Sequence, residues 1–178
     1  MKRRGERITA LTAYDYPTAR LLDESGLDVI LVGDSVGMVV LGYEDTTQVM
    51  LDEMVHHTRA AARGVKRALL VGDLPIHTYE DPAQAIASAR ALMEAGAEAV
   101  KLEGGASHVA QIKAIIAEGI PVMGHIGMLP QSVREEGGYK VKGRTPTEAD
   151  ALLADAAAVE KAGAFAGRGR GGKGEGLG

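Results

Sequence analysis

A parallel α/β fold is predicted by three features of the sequence. Short apolar runs alternate with longer amphipathic ones at intervals of roughly 25–35 residues, as a repeated strand–helix unit requires. The runs are apolar throughout, as in Val29-Ile-Leu-Val32, which fits strands covered on both faces. Glycine follows the amphipathic stretches at Gly26, Gly64, Gly96, Gly119 and Gly163, where a helix stop favours it.

The elements follow in order. Residues 8–13 form the first predicted strand, and residues 16–25 the first helix, closed by Gly26. Residues 29–32 are the second strand, and residues 47–63 a helix. Residues 68–71 make the third strand. The next helix has Asp81 as N-cap and Pro82 in its first turn, where the missing N–H costs nothing, and runs to Ala95. Residues 99–102 are strand four. Ser107 is placed as the cap of a helix reaching Glu118. Strand five begins over residues 121–123, and residues 146–161 give a further helix. The phrases Gly26-Leu-Asp28-Val29 and Gly96-Ala-Glu98-Ala99 echo each other, each a helix stop feeding a buried strand.

Composition narrows the class. The 178 residues suffice for one core, 46% of them apolar, with a net charge of −4 and mean hydropathy near zero. That balance points to neither a nucleic-acid surface nor a polyanionic tail. Cysteine is absent, which excludes disulfides, thiolate nucleophiles and sulfur-based zinc sites and fits a reducing cytoplasm. The basic start is not followed by a long apolar stretch, so neither a signal peptide nor a membrane span is expected.

Two segments depart from the pattern. Residues 127–144 are long, irregular and glycine-rich, as functional loops often are. Residues 167–178 (GRGRGGKGEGLG) alternate glycine with mostly charged residues. Such a segment buries too little apolar surface to offset its ordering entropy, so disorder is expected. A sixth strand is begun at Ala164-Phe-Ala166 and then abandoned. A complete (β/α)8 barrel of the TIM type takes ~250 residues, with ~200 near the lower limit. The expectation is therefore such a barrel, C-terminally incomplete, over residues 1–166, with a tail over residues 167–178. A reading-frame change in a GC-rich gene would produce text like this tail; a natural flexible tail on a smaller open sheet is the alternative.

In parallel α/β folds the chemistry sits at the C-terminal strand ends. Here those ends read Gly33-Asp34-Ser35, Gly72-Asp73, Lys101-Leu-Glu103 and Gly124-His125. One strand-end Asp is usually a cap or a turn former. Four polar strand ends on one rim are harder to dismiss, because crowded carboxylates repel unless something positive sits among them. Hard oxygen ligands favour Mg2+, which uses one or two carboxylates plus waters and substrate oxygens. Asp34 and Asp73 are the direct-ligand candidates, each after a glycine that frees the backbone to turn; Glu103 binds directly or through water. Lys101 shares a strand face with Glu103 and suits a substrate carboxylate or a structural ion pair. Ser35 can add a hydroxyl to the same anion, and His125 suits a substrate hydrogen bond. His56 and His57 read as surface or packing residues on a helix, and His77 as a weaker rim candidate. Gly104-Gly105 can turn backbone N–H groups toward an anion, a weak signal alone. No Walker motif or dinucleotide fingerprint occurs in a fitting context.

At this point the motifs resemble a known family. Thr12-Ala-Tyr-Asp-Tyr16, Leu31-Val-Gly-Asp-Ser-Val-Gly-Met38, His56-His-Thr-Arg59, Gly72-Asp-Leu-Pro75, Val100-Lys-Leu-Glu-Gly-Gly105, Gly124-His-Ile-Gly-Met-Leu-Pro-Gln-Ser132 and Gly137-Gly-Tyr-Lys-Val-Lys-Gly-Arg144 are similar to ketopantoate hydroxymethyltransferase, in order, from about Ile8 to Ala166. The resemblance implies a cytoplasmic (β/α)8 barrel assembled as a homodecamer. It implies transfer of a hydroxymethyl group from 5,10-methylenetetrahydrofolate to 3-methyl-2-oxobutanoate, giving 2-dehydropantoate for pantothenate synthesis through a Mg2+-stabilised enolate. Carried over by residue, Asp34, Asp73 and Glu103 resemble the Mg2+ site. Asp34, Ser35, Asp73, Lys101 and His125 resemble the oxo-acid contacts. The family's catalytic base, a Glu following strand six, has no match after Ala166; Glu175 lacks its context. Two alternatives stand beside this: a Mg2+-dependent C–C lyase of the phosphoenolpyruvate mutase and isocitrate lyase kind, and a non-catalytic assembly subunit. The lyases usually carry a Cys-containing loop, which this chain lacks.

Overall fold

The computed structural model describes residues 4–134, 137–138 and 142–170. Six strands, β1 (Ala10–Thr12), β2 (Val29–Val32), β3 (Leu69–Asp73), β4 (Ala99–Glu103), β5 (Val122–Gly127) and β6 (Ala166–Arg170), form one parallel sheet. Their spatial order follows the chain, β1-β2-β3-β4-β5-β6, with five α-helices between them among the described residues: α1 (Tyr16–Glu24), α2 (Leu51–Ala62), α3 (Pro82–Glu94), α4 (Val109–Ala117) and α5 (Pro146–Ala162). A doubly wound sheet reverses strand order at a switch point; this one never does, which is barrel-type winding. It is a half-barrel of the TIM type, as the strand–helix alternation predicts.

The central strands β2, β3 and β4 have two dry faces, for different reasons. Ile30, Val32, Leu70, Val100, Leu102 and Val122 pack with the helices in the main core. Their odd-numbered neighbours Val29, Leu31, Val71 and Ala99 form a second, smaller cluster, flanked by Leu69 and Met123. Glycine lets the helices close in. A Cβ on Gly124 would strike Val159 of α5, and one on Gly72 would come within 3.3 Å of Leu92 of α3. Gly72 therefore serves packing, and neither it nor Gly33 adopts the left-handed conformation expected of a sharp turn.

The helix starts show local chemistry. Asp81 accepts the Gln84 N–H at 2.9 Å, the cap expected from Asp81-Pro82. Thr145 and Glu148 form a capping box at α5. The two echoed phrases share one contact. Asp28 accepts the Thr9 N–H at 2.8 Å and Glu98 accepts the Leu70 N–H at 3.2 Å, each tying a strand's start to its neighbour.

Several boundaries differ from expectation. Residues 47–63 are not one helix: a 3-10 turn, Thr46–Gln48, capped by Asp45, precedes α2. Ser107 does not cap helix four. It lies inside a second 3-10 turn, Ala106–His108, and its hydroxyl meets His108 Nδ1 at 3.0 Å instead. Strand five runs on to Gly127. The sixth strand is not abandoned. It starts where the Gly-rich segment starts and pairs along β5 from Ala166 to Arg170, because the neighbouring strand supplies hydrogen bonds whatever the side chains. The rest of the expected disordered tail, residues 171–178, lies outside the described residues. No helix among the described residues is long and apolar enough to cross a membrane.

Candidate active site

The sheet register builds the site. Val71 lies beside Ala99, Asp73 beside Lys101, Lys101 beside Met123, and Glu103 beside His125. The small inner cluster of Leu31, Val71 and Ala99 thus gives way, one step toward the C-terminal ends, to Asp73, Lys101, Glu103 and His125. Asp34, in the turn after β2, joins them through its N–H, which donates to Asp73 Oδ2 at 3.3 Å. A Cβ on Gly33 would lie 3.0 Å from Ser35 Oγ and 3.8 Å from Asp73 Oδ2, so glycine leaves room there.

Asp34, Asp73, Lys101, Glu103 and His125 are between 1% and 4% exposed. Charges so dry must compensate one another. Lys101 Nζ donates to Asp73 Oδ2 at 2.5 Å and to Glu103 Oε1 at 3.3 Å. The His125 Nδ1 edge meets Glu103 Oε1 at 2.8 Å. Burial works against the Lys101 ammonium, but Asp73, Glu103 and Asp34 together push its pKa above the ordinary value. Burial would also raise Glu103; the His125 hydrogen bond and the Lys101 charge outweigh it and hold the carboxyl low. Asp34 and Asp73 go the other way. Burial raises both, Asp73 strongly, with repulsion from Glu103 adding at each.

These are three acids around one lysine, and the surplus negative charge suits a cation. Asp73 Oδ1 is buried with no hydrogen-bond donor among the described residues, as an atom held for a ligand would be. Glu103 is differently placed, since both its oxygens already accept bonds, from Lys101, His125 and the Gln131 N–H. Among the described residues, no three acidic or histidine side chains converge tightly enough to chelate a metal alone. Two carboxylates, Asp34 and Asp73, with waters and substrate oxygens completing the shell, fit a hard divalent ion such as Mg2+.

The remaining candidates separate. Ser35 Oγ lies 2.9 Å from Tyr14 Oη, half-buried beside Asp34. His57 is engaged in packing, with Nδ1 at 2.7 Å from the Tyr14 carbonyl. His77 pairs with Glu80 on the surface. At Gly104-Gly105, Cβ atoms would collide with His108 and Asp155, and Asp155 itself accepts the Ala106 N–H at 2.8 Å. The close approach of α5 accounts for Gly105, and the His108 ring with a φ of +115° accounts for Gly104, without an anion.

Sequence reasoning missed Gln131 and Tyr79. Gln131 Nε2 donates to Asp34 Oδ2 at 2.8 Å, and Tyr79 Oη donates to Gln131 Oε1. The signals were indirect: Gln131 lies in the long loop flagged for its length and in the motif Gly124 to Ser132 quoted for the resemblance.

Comparison with known proteins agrees. The family model of ketopantoate hydroxymethyltransferase matches residues 1–167. The chain is 56% identical over 167 residues to 3-methyl-2-oxobutanoate hydroxymethyltransferase of Clostridium novyi (strain NT), covering 93% of this chain and 61% of that protein. It is 58% identical to the enzyme of that name from Chloroflexus aurantiacus, covering 93% of this chain and 59% of that one. The chain thus spans about 60% of the length of the curated relatives it matches. Among solved structures, a phosphonopyruvate hydrolase in complex with oxalate and Mg2+ superposes with a TM-score of 0.72 at 16% identity, over 96% of this chain and 60% of that one. A 2,3-dimethylmalate lyase of the phosphoenolpyruvate mutase/isocitrate lyase superfamily gives 0.62 at 16%, over 91% and 56%. Those two likenesses concern the fold. The sequence match over residues 1–167, with the acids gathered at the strand ends, shows that the chain belongs to the ketopantoate hydroxymethyltransferase family.

Proposed function

We propose that this chain supplies the cation- and oxo-acid-binding half of an enzyme that transfers a hydroxymethyl group from 5,10-methylenetetrahydrofolate to C3 of 3-methyl-2-oxobutanoate, giving 2-dehydropantoate for pantothenate synthesis. One observation carries it: in a member of this family, Asp34, Asp73 and Glu103 surround Lys101 in a single buried cluster at the strand ends. Asp34 and Asp73 hold Mg2+. Bound there, the ion supplies Lewis-acid polarisation of the substrate's 2-oxo group. Lys101, kept protonated by its three acids, balances negative charge that gathers on the oxo acid. Ser35, beside Asp34, donates to the substrate carboxylate. His125 is oriented by Glu103 for the same ligand.

A base must still take the C3 proton. Glu103 is a poor choice, because His125, Lys101 and Gln131 all donate to its carboxylate and keep it a weak base. The proton step therefore falls to a group outside the cluster. A homodecameric assembly in the cytoplasm belongs to the same proposal.

The test is calorimetric titration of the chain with 3-methyl-2-oxobutanoate, with Mg2+ and with EDTA. Binding that requires Mg2+ is expected; equal binding in EDTA would refute the site. Exchange of the C3 proton in D2O, followed by NMR with and without the folate, tests the chemistry. A folded chain that binds the oxo acid without exchange carries the binding half alone.

A further inference from the structure

We infer that Gln131, locked by Tyr79, is the positioning residue that orients the metal ligand Asp34 and fixes Glu103 beside it; this rests on the Mg2+ assignment of the cluster. Gln131 is 3% exposed and lies in the 3-10 turn Pro130–Ser132, just beyond β5. It touches the ends of three other strands. Its backbone N–H donates to Glu103 Oε2 at 3.1 Å. Its side-chain Nε2 donates to Asp34 Oδ2 at 2.8 Å and to the Leu74 carbonyl at 3.0 Å. Its Oε1 accepts from Tyr79 Oη.

The amide can face only one way. Nε2 meets two pure acceptors, a carboxylate and a carbonyl, and turning the amide over would set Oε1 against both. Tyr79 supports the same choice, because its hydroxyl donates to Oε1. Burial, with Glu103, Asp73 and Asp34 nearby, pushes the Tyr79 phenol above its ordinary pKa, so the proton stays on it. Tyr79 is fixed in turn by an edge-on contact with His108, ring centres 5.3 Å apart. The chain of contacts runs His108, Tyr79, Gln131, then both acids.

The consequence is geometric. Two N–H groups of one residue hold one oxygen of Asp34 and one of Glu103, so neither carboxylate can rotate freely. Asp73 has no such restraint on Oδ1. Residues that hold ligands in this way typically control metal affinity by roughly ten- to a hundredfold.

The experiment is titration of the full chain with MgCl2 by calorimetry, with thermal melting and circular dichroism as the measure of folding. Gln131→Met keeps the length and approximate volume of the side chain and the backbone N–H to Glu103, and deletes the amide. Mg2+ affinity should fall by roughly ten- to a hundredfold in the folded variant. Tyr79→Phe, which leaves every atom of Gln131 in place, should weaken Mg2+ in the same direction by a smaller factor. It decides the matter if Gln131→Met does not fold. A purely packing role would lower the melting temperature and leave Mg2+ affinity unchanged, and that result overturns the inference while the metal site stands. A wild-type chain that binds no Mg2+ overturns the metal assignment and this inference with it.

Discussion

Acids at the two ends of the sheet are used in opposite ways. At the N-terminal end, Asp28 and Glu98 accept backbone N–H groups of the preceding strand, and buried Asp23 accepts the Arg67 and Ala68 N–H groups at 2.9 and 2.8 Å. At the C-terminal end, Asp34, Asp73 and Glu103 are held mainly by side chains, those of Gln131, Lys101 and His125. The electrostatics follow. Burial would raise Asp23, but the N–H groups of Ala68, Arg67 and Lys66 hold its pKa low. Burial raises Asp73 well above the ordinary value, and one of its oxygens has no donor among the described residues. A buried carboxylate met by backbone N–H groups is a fastener. One left short of donors is ready for a cation. The C-terminal face of such folds carries chemistry and the opposite face stability.

The strongest way to break this contrast is to remove Lys101, the lysine set among the rim acids. Lys101→Met should destabilise the metal-free chain by about 3–5 kcal/mol, because the buried carboxylates of Asp73 and Glu103 lose their ion-pair partner. Urea denaturation measures it, and added MgCl2 should recover part of the loss. Next, Asp34→Ala should weaken Mg2+ about a hundredfold, or about 2.7 kcal/mol, while His57→Ala leaves it unchanged; equal affinities in calorimetry would count against the rim.

At the other end, Asp23→Ala should cost about 1–3 kcal/mol of stability with no change in Mg2+ affinity, since two N–H groups lose their acceptor. The pH dependence has a definite sign. Because the folded pKa of Asp23 lies below its ordinary 3.8, its stabilisation is fully present above that value and fades as pH falls through the lower folded one. Denaturation of both chains at pH 6 and at pH 3 should show the gap closing. The smallest effect belongs to Glu98→Gln, within about 0.5 kcal/mol. An amide oxygen still accepts the Leu70 N–H, so a larger loss would mean that charge matters at that end too.

Much of this was legible in the chain. The glycine stops and the Asp81-Pro82 start mark helix ends because they act within one turn. Asp34, Asp73 and Glu103 were visible because strand ends can be counted along the sequence. The pairing of Lys101 with Glu103 follows from the two-residue period of a strand. The misses are of another kind. Ser107 looked like a cap, but the chain makes a 3-10 turn there. Residues 167–170 looked unfit for a strand, since Gly and Arg bring little packing, yet β5 offers them a ladder. Gln131 lies in a flagged loop and a quoted motif, but nothing local gives its role, because the aspartate it holds stands 97 residues away.

Sequence by itself determined the strand–helix alternation, the acids at the strand ends and the family, because each depends on spacing along the chain. Tertiary structure alone decided which acids are satisfied and which are left short of donors. That depends on contacts between distant segments: Lys101 reaching across to Asp73, and the loop beyond β5 folding Gln131 back over Asp34 and Glu103. Burial then sets the charge state, since the same carboxylate is held low where backbone N–H groups meet it and driven up where they do not.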